Sequence, residues 1–188
     1  ILFSRNINNL IQLTKLVNNI REVIGFNCLI LIDQEGGRVQ RLKKPNCPNY
    51  PAANIFGKLA LKSLKESERA TYLNYFLLGN DLSNIGINVN CAPCLDVLSS
   101  KTHKVIGDRA FSSDPDIVTL LGKAACKGLI NSGILPIIKH IPGHGLAKVD
   151  SHNYTPVVDK KKNFLLKKDF AAFKKKKSFF AMTAHVVF

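Results

Sequence analysis

The sequence predicts an α/β fold with a parallel sheet, and two observations support this prediction. Strand-like and helix-like segments alternate along the 188 residues, and repeated β-then-α units imply parallel strands. Apolar residues make up 46% of the chain, which suits a globular protein that is long enough to bury a core. We expect residues 1–188 to form a single domain, because the sequence contains no linker, internal repeat or second domain.

Hydrophobic spacing locates the first four elements. Apolar residues at helical spacing predict one helix over residues 10–20 and another over residues 70–77. Two apolar runs, residues 28–33 and 85–93, have the length and composition of buried strands. We therefore expect the order helix, strand, helix, strand in the first half of the chain.

The alternation continues in the second half. Apolar spacing over residues 117–128 predicts a third helix, which Asp114 can cap, Pro115 can start and Gly133 can end. The later elements are a strand from residue 134, a lysine-rich helix within residues 160–177 and a strand over residues 178–185.

Much of the net charge of +14 is concentrated in the lysines of residues 160–177. Leu166, Phe170 and Phe173 recur among them at helical spacing, so we interpret the lysines as the solvated face of an amphipathic helix. An electrostatic partner site is the alternative. No signature of a nucleic-acid-binding fold supports it, and we expect neither a nucleic-acid nor a membrane partner.

Five cysteines, an odd number, lie mostly in apolar runs. This usage fits a reducing, cytoplasmic location better than a disulfide framework. Cys91 and Cys94 have the spacing of a redox or zinc pair, but they lie on a predicted strand without a second cysteine pair. We interpret them as core residues.

The loop of residues 142–152 has the densest set of ionisable groups. It follows the apolar run of residues 134–138, which closes with Lys139 and His140 as a buried parallel strand does at the functional edge of a sheet. Asp150 lies two residues before His152, and a carboxylate so near can orient the imidazole and support its cationic form. Such a pair is equally typical of a structural hydrogen bond.

Five motifs carry a resemblance to a known family. In chain order they are residues 31–41 (Leu-Ile-Asp-Gln-Glu-Gly-Gly-Arg-Val-Gln-Arg), 88–97, 106–115, 139–152 and 182–186. This sequence resembles the β-N-acetylhexosaminidases of glycoside hydrolase family three, bacterial enzymes that recycle cell-wall muropeptides. The resemblance implies a (β/α)8 TIM-barrel-type fold. Such a barrel takes roughly 250 residues, so we expect a partial barrel that covers about the second to sixth strands.

The resemblance also assigns roles to individual residues. It implies that Asp33, Arg41, Arg109, Lys139 and His140 bind N-acetylglucosamine. His152 becomes the general acid/base of a retaining mechanism and Asp150 the carboxylate that tunes it. The nucleophilic aspartate belongs to a strand beyond Phe188, and no metal or organic cofactor is implied. We expect a monomer at full length.

Other polar residues receive weaker assignments. Glu35 and His144 are expected to be structural, Asp96 to be structural or sugar-binding, and His185 to line the site or satisfy the backbone. Two rivals remain, in addition to a basic nucleic-acid binder. One is a non-catalytic sugar-binding remnant; the other is a metal-dependent barrel hydrolase that uses Asp33, His140, His144 and His152.

Because the resemblance puts the nucleophile outside these residues, we expect the 188-residue chain alone to hydrolyse no β-N-acetylglucosaminide at an appreciable rate. A chromogenic glycoside assay and sedimentation of the purified chain test this. Sustained turnover by a soluble monomer, abolished by Asp150→Ala, would contradict the expectation.

Overall fold

The fold is a parallel sheet with helices packed against it. The structure is a computed structural model, and it describes residues 1–151, 153–174 and 178–188. The strands of this described part are β1 (Leu31–Ile32), β2 (Gln34–Gly36), β3 (Val39–Gln40), β4 (Val89–Asn90), β5 (Leu135–Ile141) and β6 (Phe180–Thr183). Its α-helices are α1 (Leu10–Ile24), α2 (Ala53–Ala60), α3 (Leu64–Asn84), α4 (Pro115–Asn131) and α5 (Lys162–Lys167). None of them is long and apolar enough to cross a bilayer.

The main sheet has the strand order β1-β4-β5-β6, and every neighbouring pair is parallel. Leu2 extends this sheet beyond β1 through a parallel bridge to Ile32. Spatial order therefore follows chain order, with a helix between successive strands of the main sheet, as crossovers between parallel strands require. The predicted parallel α/β architecture is confirmed.

Local signals account for the helix ends. The Asp114 side chain accepts a hydrogen bond from the backbone N–H of Asp116 at 2.8 Å, and Pro115 is the first residue of α4. The chain leaves this helix at Ser132 and Gly133, and Gly133 has a φ of +82°. The predicted cap, start and stop of α4 are therefore all confirmed.

The lysine-rich segment differs from its prediction. Instead of one helix within residues 160–177, the described part contains α5 and a separate 3-10 turn, Ala171–Phe173; residues 175–177 lie outside it. Leu165 and Ala172 are buried rather than Leu166, Phe170 and Phe173, which are only half-buried. The helix ends because the chain turns at Lys168 and directs Asp169 into the interior.

Two further elements were not predicted. The antiparallel hairpin β2–β3 contains buried Gln34 and Gln40, whose polar side chains conceal it from a hydrophobic pattern. Gln34 donates its amide to the carbonyl of Leu42 at 2.9 Å, and Gln40 donates to the same carbonyl at 2.7 Å. Helix α2 follows the hairpin and packs on α3.

Helices α3 and α4 pack closely together to cover the sheet. Tyr75, Leu78 and Leu82 of α3 join Leu121 and Leu129 of α4 in the largest apolar cluster, and each has at most 1% of its surface exposed. The two cysteines with redox spacing are also buried in apolar clusters and form no disulfide, as predicted.

Gly128 lets α4 approach α3, so Gly128→Ala is expected to destabilise the fold by about 1–3 kcal/mol through overpacking. A Cβ there would lie 2.5 Å from the Tyr72 carbonyl oxygen. Without that contact, glycine-to-alanine in a helix would stabilise by roughly 0.5–1 kcal/mol. Urea unfolding measures whether the free energy of unfolding falls or rises. Lys123→Ala, at an exposed position of α4, serves as control, and stabilisation by Gly128→Ala would contradict this packing.

Candidate active site

Polar side chains collect where parallel strands end. Asp33 directly follows β1, Asp96 lies beyond β4, and Lys139 and His140 are in the last part of β5. The carboxyl ends of parallel strands lie at the same edge of a sheet, where functional groups of α/β folds gather. The structure thus brings together residues that are more than a hundred positions apart in the chain.

Lys139 is the centre of a buried charge cluster. Its ammonium group lies 2.9 Å from Asp33 Oδ1 and 2.6 Å from Glu35 Oε1. Asp33 Oδ2 accepts a hydrogen bond from Arg41 Nη2 at 3.1 Å. Glu35 also accepts two hydrogen bonds from the Arg109 guanidinium group, at 2.9 and 2.8 Å. Four of the five predicted sugar-binding residues therefore belong to one network, and Glu35 joins them.

The network keeps its members ionised in spite of burial. Burial alone would raise the pKa of Asp33 and Glu35, but the Lys139 charge and the arginine hydrogen bonds hold both pKa values below the usual range. Burial would likewise lower the pKa of Lys139, yet the two carboxylates hold it above the ordinary lysine value. The result is a set of fixed charges, with cations in excess, at the strand ends.

His140 is held by a different carboxylate. Asp96 Oδ2 lies 2.7 Å from Nδ1 of the His140 ring, and Asp96 Oδ1 accepts the backbone N–H of His144 at 2.7 Å. Asp96 is fully buried; burial works against its ionisation, but its hydrogen bond with His140 holds its pKa below the usual range. Asp96 therefore fixes a proton on Nδ1 of His140 and leaves Nε2 for another partner.

A cavity of about 180 Å³ opens beside these groups. Arg109 and His140 line it together with His144, Ser151 and His185. His185 was predicted either to line the site or to satisfy the backbone, and the structure places it in the cavity wall. Ser151 brings the 142–152 loop to the same cavity, so the loop shares one space with Arg109 of the charge cluster and with His140.

The 142–152 loop carries the predicted catalytic pair. The carbonyl of Asp150 accepts hydrogen bonds from the backbone N–H groups of Asn153 and Tyr154, at 3.2 and 3.0 Å. His152 lies outside the described residues, so its pairing with Asp150 stays a prediction. His144 is buried, and burial lowers its pKa, which favours the neutral imidazole in the loop.

Cys94, Asp96 and His140 present ligand atoms within 4.8 Å of one another, a spacing that a metal ion could use. The thiol of Cys94 lies 3.2 Å from Asp96 Oδ2, and that oxygen is already 2.7 Å from the His140 ring. These are hydrogen-bond distances: the Cys94 thiol and the His140 ring both pair with the Asp96 carboxylate. These three residues also differ from those of the metal-dependent hydrolase considered above. In that hydrolase Asp33 would bind the metal ion, and its carboxylate would have to leave Lys139.

Comparison with known proteins decides the family. The glycosyl hydrolase family 3 N-terminal domain matches residues 1–188. The chain belongs to this family. A β-hexosaminidase of Bordetella avium is 38% identical over 174 residues, which are 92% of this chain and 49% of that protein. The chain thus spans about half the length of the curated relatives it matches.

Solved structures of the family agree with the fold. NagZ from Neisseria gonorrhoeae, in complex with N-trifluoroacetyl-D-glucosamine, superposes with a TM-score of 0.92 at 34% identity, over 100% of this chain and 55% of that one. A family 3 β-N-acetylglucosaminidase from Paenibacillus sp. gives a TM-score of 0.92 at 31% identity, over 100% and 36% of the two chains. The predicted TIM-barrel-type α/β fold is confirmed.

Glu35→Gln is expected to destabilise this family 3 domain by about 3–5 kcal/mol, because it leaves buried cations with one carboxylate fewer. Urea unfolding at neutral pH provides the measurement. Asp108→Asn breaks the exposed Arg38–Asp108 pair and serves as the control, with an expected loss of at most about 1 kcal/mol. Equal stability of Glu35→Gln and the unchanged chain would show that the cluster needs no second carboxylate.

The same cluster predicts the acid limit of stability. Asp33 and Glu35 have lowered pKa values in the folded state, so their contribution is complete above their ordinary values of 3.8 and 4.5. It declines as the pH falls below those values and through the lowered ones. Unfolding free energy measured from pH 6 to pH 3 should fall less steeply in Glu35→Gln than in the unchanged chain. Identical slopes would contradict this assignment.

Proposed function

We propose that this chain is the sugar-binding part of a β-N-acetylhexosaminidase that hydrolyses terminal, non-reducing β-linked N-acetylglucosamine. The observation that carries the proposal is the cluster of Asp33, Arg41, Arg109 and Lys139 beside His140 at one sheet edge. Family membership and the β-hexosaminidase name of relatives support it.

The cluster suits a sugar because it offers both acceptors and donors in fixed positions. Carboxylate oxygens of Asp33 can accept hydrogen bonds from sugar hydroxyl groups, while Lys139 and the arginines can donate them. Ion pairs within the cluster already orient these side chains, so binding a ligand costs little further ordering. His140, held through Nδ1 by Asp96, can donate to or accept from a ligand through Nε2.

The proposed substrate class rests on a solved relative and on the sequence motifs. The Neisseria NagZ complex contains an N-acylated glucosamine analogue, which supports N-acetylglucosamine as the ligand here. We extend the proposal to muropeptides of the cell wall as natural substrates and to the cytoplasm as the location, both of which rest on the resemblance of the five motifs. Monomeric assembly of the full-length protein belongs to the same proposal.

The proposed mechanism retains configuration. His152 protonates the leaving glycosidic oxygen and then activates water, while Asp150 orients and charges its ring; a neutral-range pKa suits both proton transfers. The attacking carboxylate, which forms the covalent glycosyl intermediate, comes from a part of the domain outside these residues. This chain supplies binding, orientation and the acid/base loop.

Arg41→Ala should weaken binding of N-acetylglucosamine roughly tenfold or more, because a charge-assisted hydrogen bond contributes about 1.5–3 kcal/mol. Titration of the chain with N-acetylglucosamine, followed by NMR or calorimetry, measures this. Arg38→Ala is the matched control, since Arg38 belongs to the same hairpin region and binds Asp108 and the backbone of residues 104–106. Equal affinity of the two variants would contradict the proposed sugar site.

Asp150 and His152 should act as a unit in a protein that contains the rest of the catalytic domain. Asp150→Ala, His152→Ala and the double variant are compared on a glycoside with a poor leaving group. We expect the rate losses to be far from multiplicative, because the carboxylate acts through the ring. Fully multiplicative losses would contradict a coupled pair, and binding without any hydrolysis would favour the non-catalytic remnant.

A further inference from the structure

Asp169 is a buried carboxyl group that the mechanism does not use. It follows α5, its side chain is 0% exposed, and the 142–152 loop passes directly over it. Asp169 has no sequence signal of its own, because it lies among lysines in a segment predicted to be a helix with a solvated face.

The loop backbone rests on this one side chain at three residues. A Cβ at Gly143 would lie 2.8 Å from the Asp169 Cβ, and a Cβ at Gly145 would lie 2.9 Å from Asp169 Oδ1. The backbone N–H of Leu146 donates a hydrogen bond to Asp169 Oδ2 at 3.3 Å. Glycine at position 143 thus allows the close approach to Asp169, and glycine at position 145 allows the loop to fit between Asp169 and the backbone of Val97.

The two carboxyl oxygens have different surroundings. Oδ2 accepts the Leu146 hydrogen bond, whereas Oδ1 is buried without a hydrogen-bond partner among the described residues. A buried charge with an unsatisfied oxygen is unfavourable. The pKa of Asp169 is raised to about 7: burial is the largest cause and the negative charge of Asp96 adds to it, while the backbone N–H groups of Leu146 and Gly145 and the charge of Lys168 act in the opposite direction.

We propose that Asp169 is a positioning residue whose uncharged carboxyl group holds the 142–152 loop in place, and whose ionisation loosens that loop. The position of Asp150 then depends on the protonation state of a group that never touches the substrate. The catalytic meaning of this control rests on the function proposed above, but the loop response itself does not.

The direction of the pH effect follows from linkage. The pKa of Asp169 is about 7 in the packed loop and close to the ordinary 3.8 once the loop has opened to water. The packed form therefore binds the proton more tightly, and its advantage is complete at acid pH. That advantage falls up to tenfold per pH unit as the pH rises toward 7, and it levels off above 7.

Hydrogen exchange of the chain without ligand tests the proposal. We follow amide protection of residues 143–151 between pH 5 and pH 8, corrected for the intrinsic pH dependence of exchange. In the unchanged chain, loop protection should fall by at least tenfold between pH 5 and pH 7 and stay level above it. Asp169→Asn, which keeps the shape of the uncharged form, should keep the loop protected at every pH. Asp159→Asn, at an exposed carboxylate near the loop, should behave like the unchanged chain.

Three results would overturn the proposal. They are constant loop protection in the unchanged chain across this range, an Asp169→Asn variant that keeps the original pH dependence, and an Asp169→Asn variant that is unfolded or has an unprotected loop at pH 5. In the complete protein, Asp169→Asn should also flatten the part of the kcat profile that falls toward neutral pH. A chain that neither binds nor hydrolyses sugars but shows the predicted loop response would leave this inference intact and remove the proposed function.

Discussion

The burial of the Lys139 ammonium group is the constraint on which the site depends. With 2% of its surface exposed, this cation would be strongly unfavourable without partners, since a buried unpaired charge costs several kcal/mol. Asp33 and Glu35 supply the compensation, and they come from the end of β1 and from β2. One lysine on β5 is therefore tied by charge to the end of β1 and to the hairpin that follows it.

The arginines extend this requirement to the rest of the sheet edge. Asp33 and Glu35 share the single positive charge of Lys139, so Lys139 alone does not neutralise both carboxylates. Arg109 supplies a second cation for Glu35 through two hydrogen bonds. Arg109 is thereby drawn from the loop before α4 toward the β1 end. Replacing a buried network by apolar residues is often no less stable, so stability alone gives no reason for it. The sugar-binding role proposed for this surface does give one.

Local patterns predicted the parallel α/β fold and the ends of α4, because helical spacing and caps depend on neighbouring residues. Two buried glutamines hid the β2–β3 hairpin, since their amides bond with backbone groups and break the apolar pattern. The prediction of one lysine-rich helix was wrong because the end of α5 depends on the burial of Asp169, whose contacts are in the 142–152 loop. The pairing of Asp33 with Lys139 spans 106 positions, so no spacing rule indicates it; the five motifs predicted one site for both residues but not their ion pair.

Fixed and adjustable electrostatics are separated in this site. The Lys139 cluster lies at the ends of strands, and its carboxylates have lowered pKa values, so its charges do not change near neutral pH. The 142–152 loop is held instead by Asp96 through the His144 N–H and by Asp169 through the Leu146 N–H. These two carboxyl groups repel each other when both are ionised, and Asp96, with its His140 partner, keeps the charge. Asp169 must then be the one that takes up a proton. Under the proposed function, the fixed charges at the strand ends bind the sugar, and ionisation of Asp169 changes the position of the loop without changing those charges.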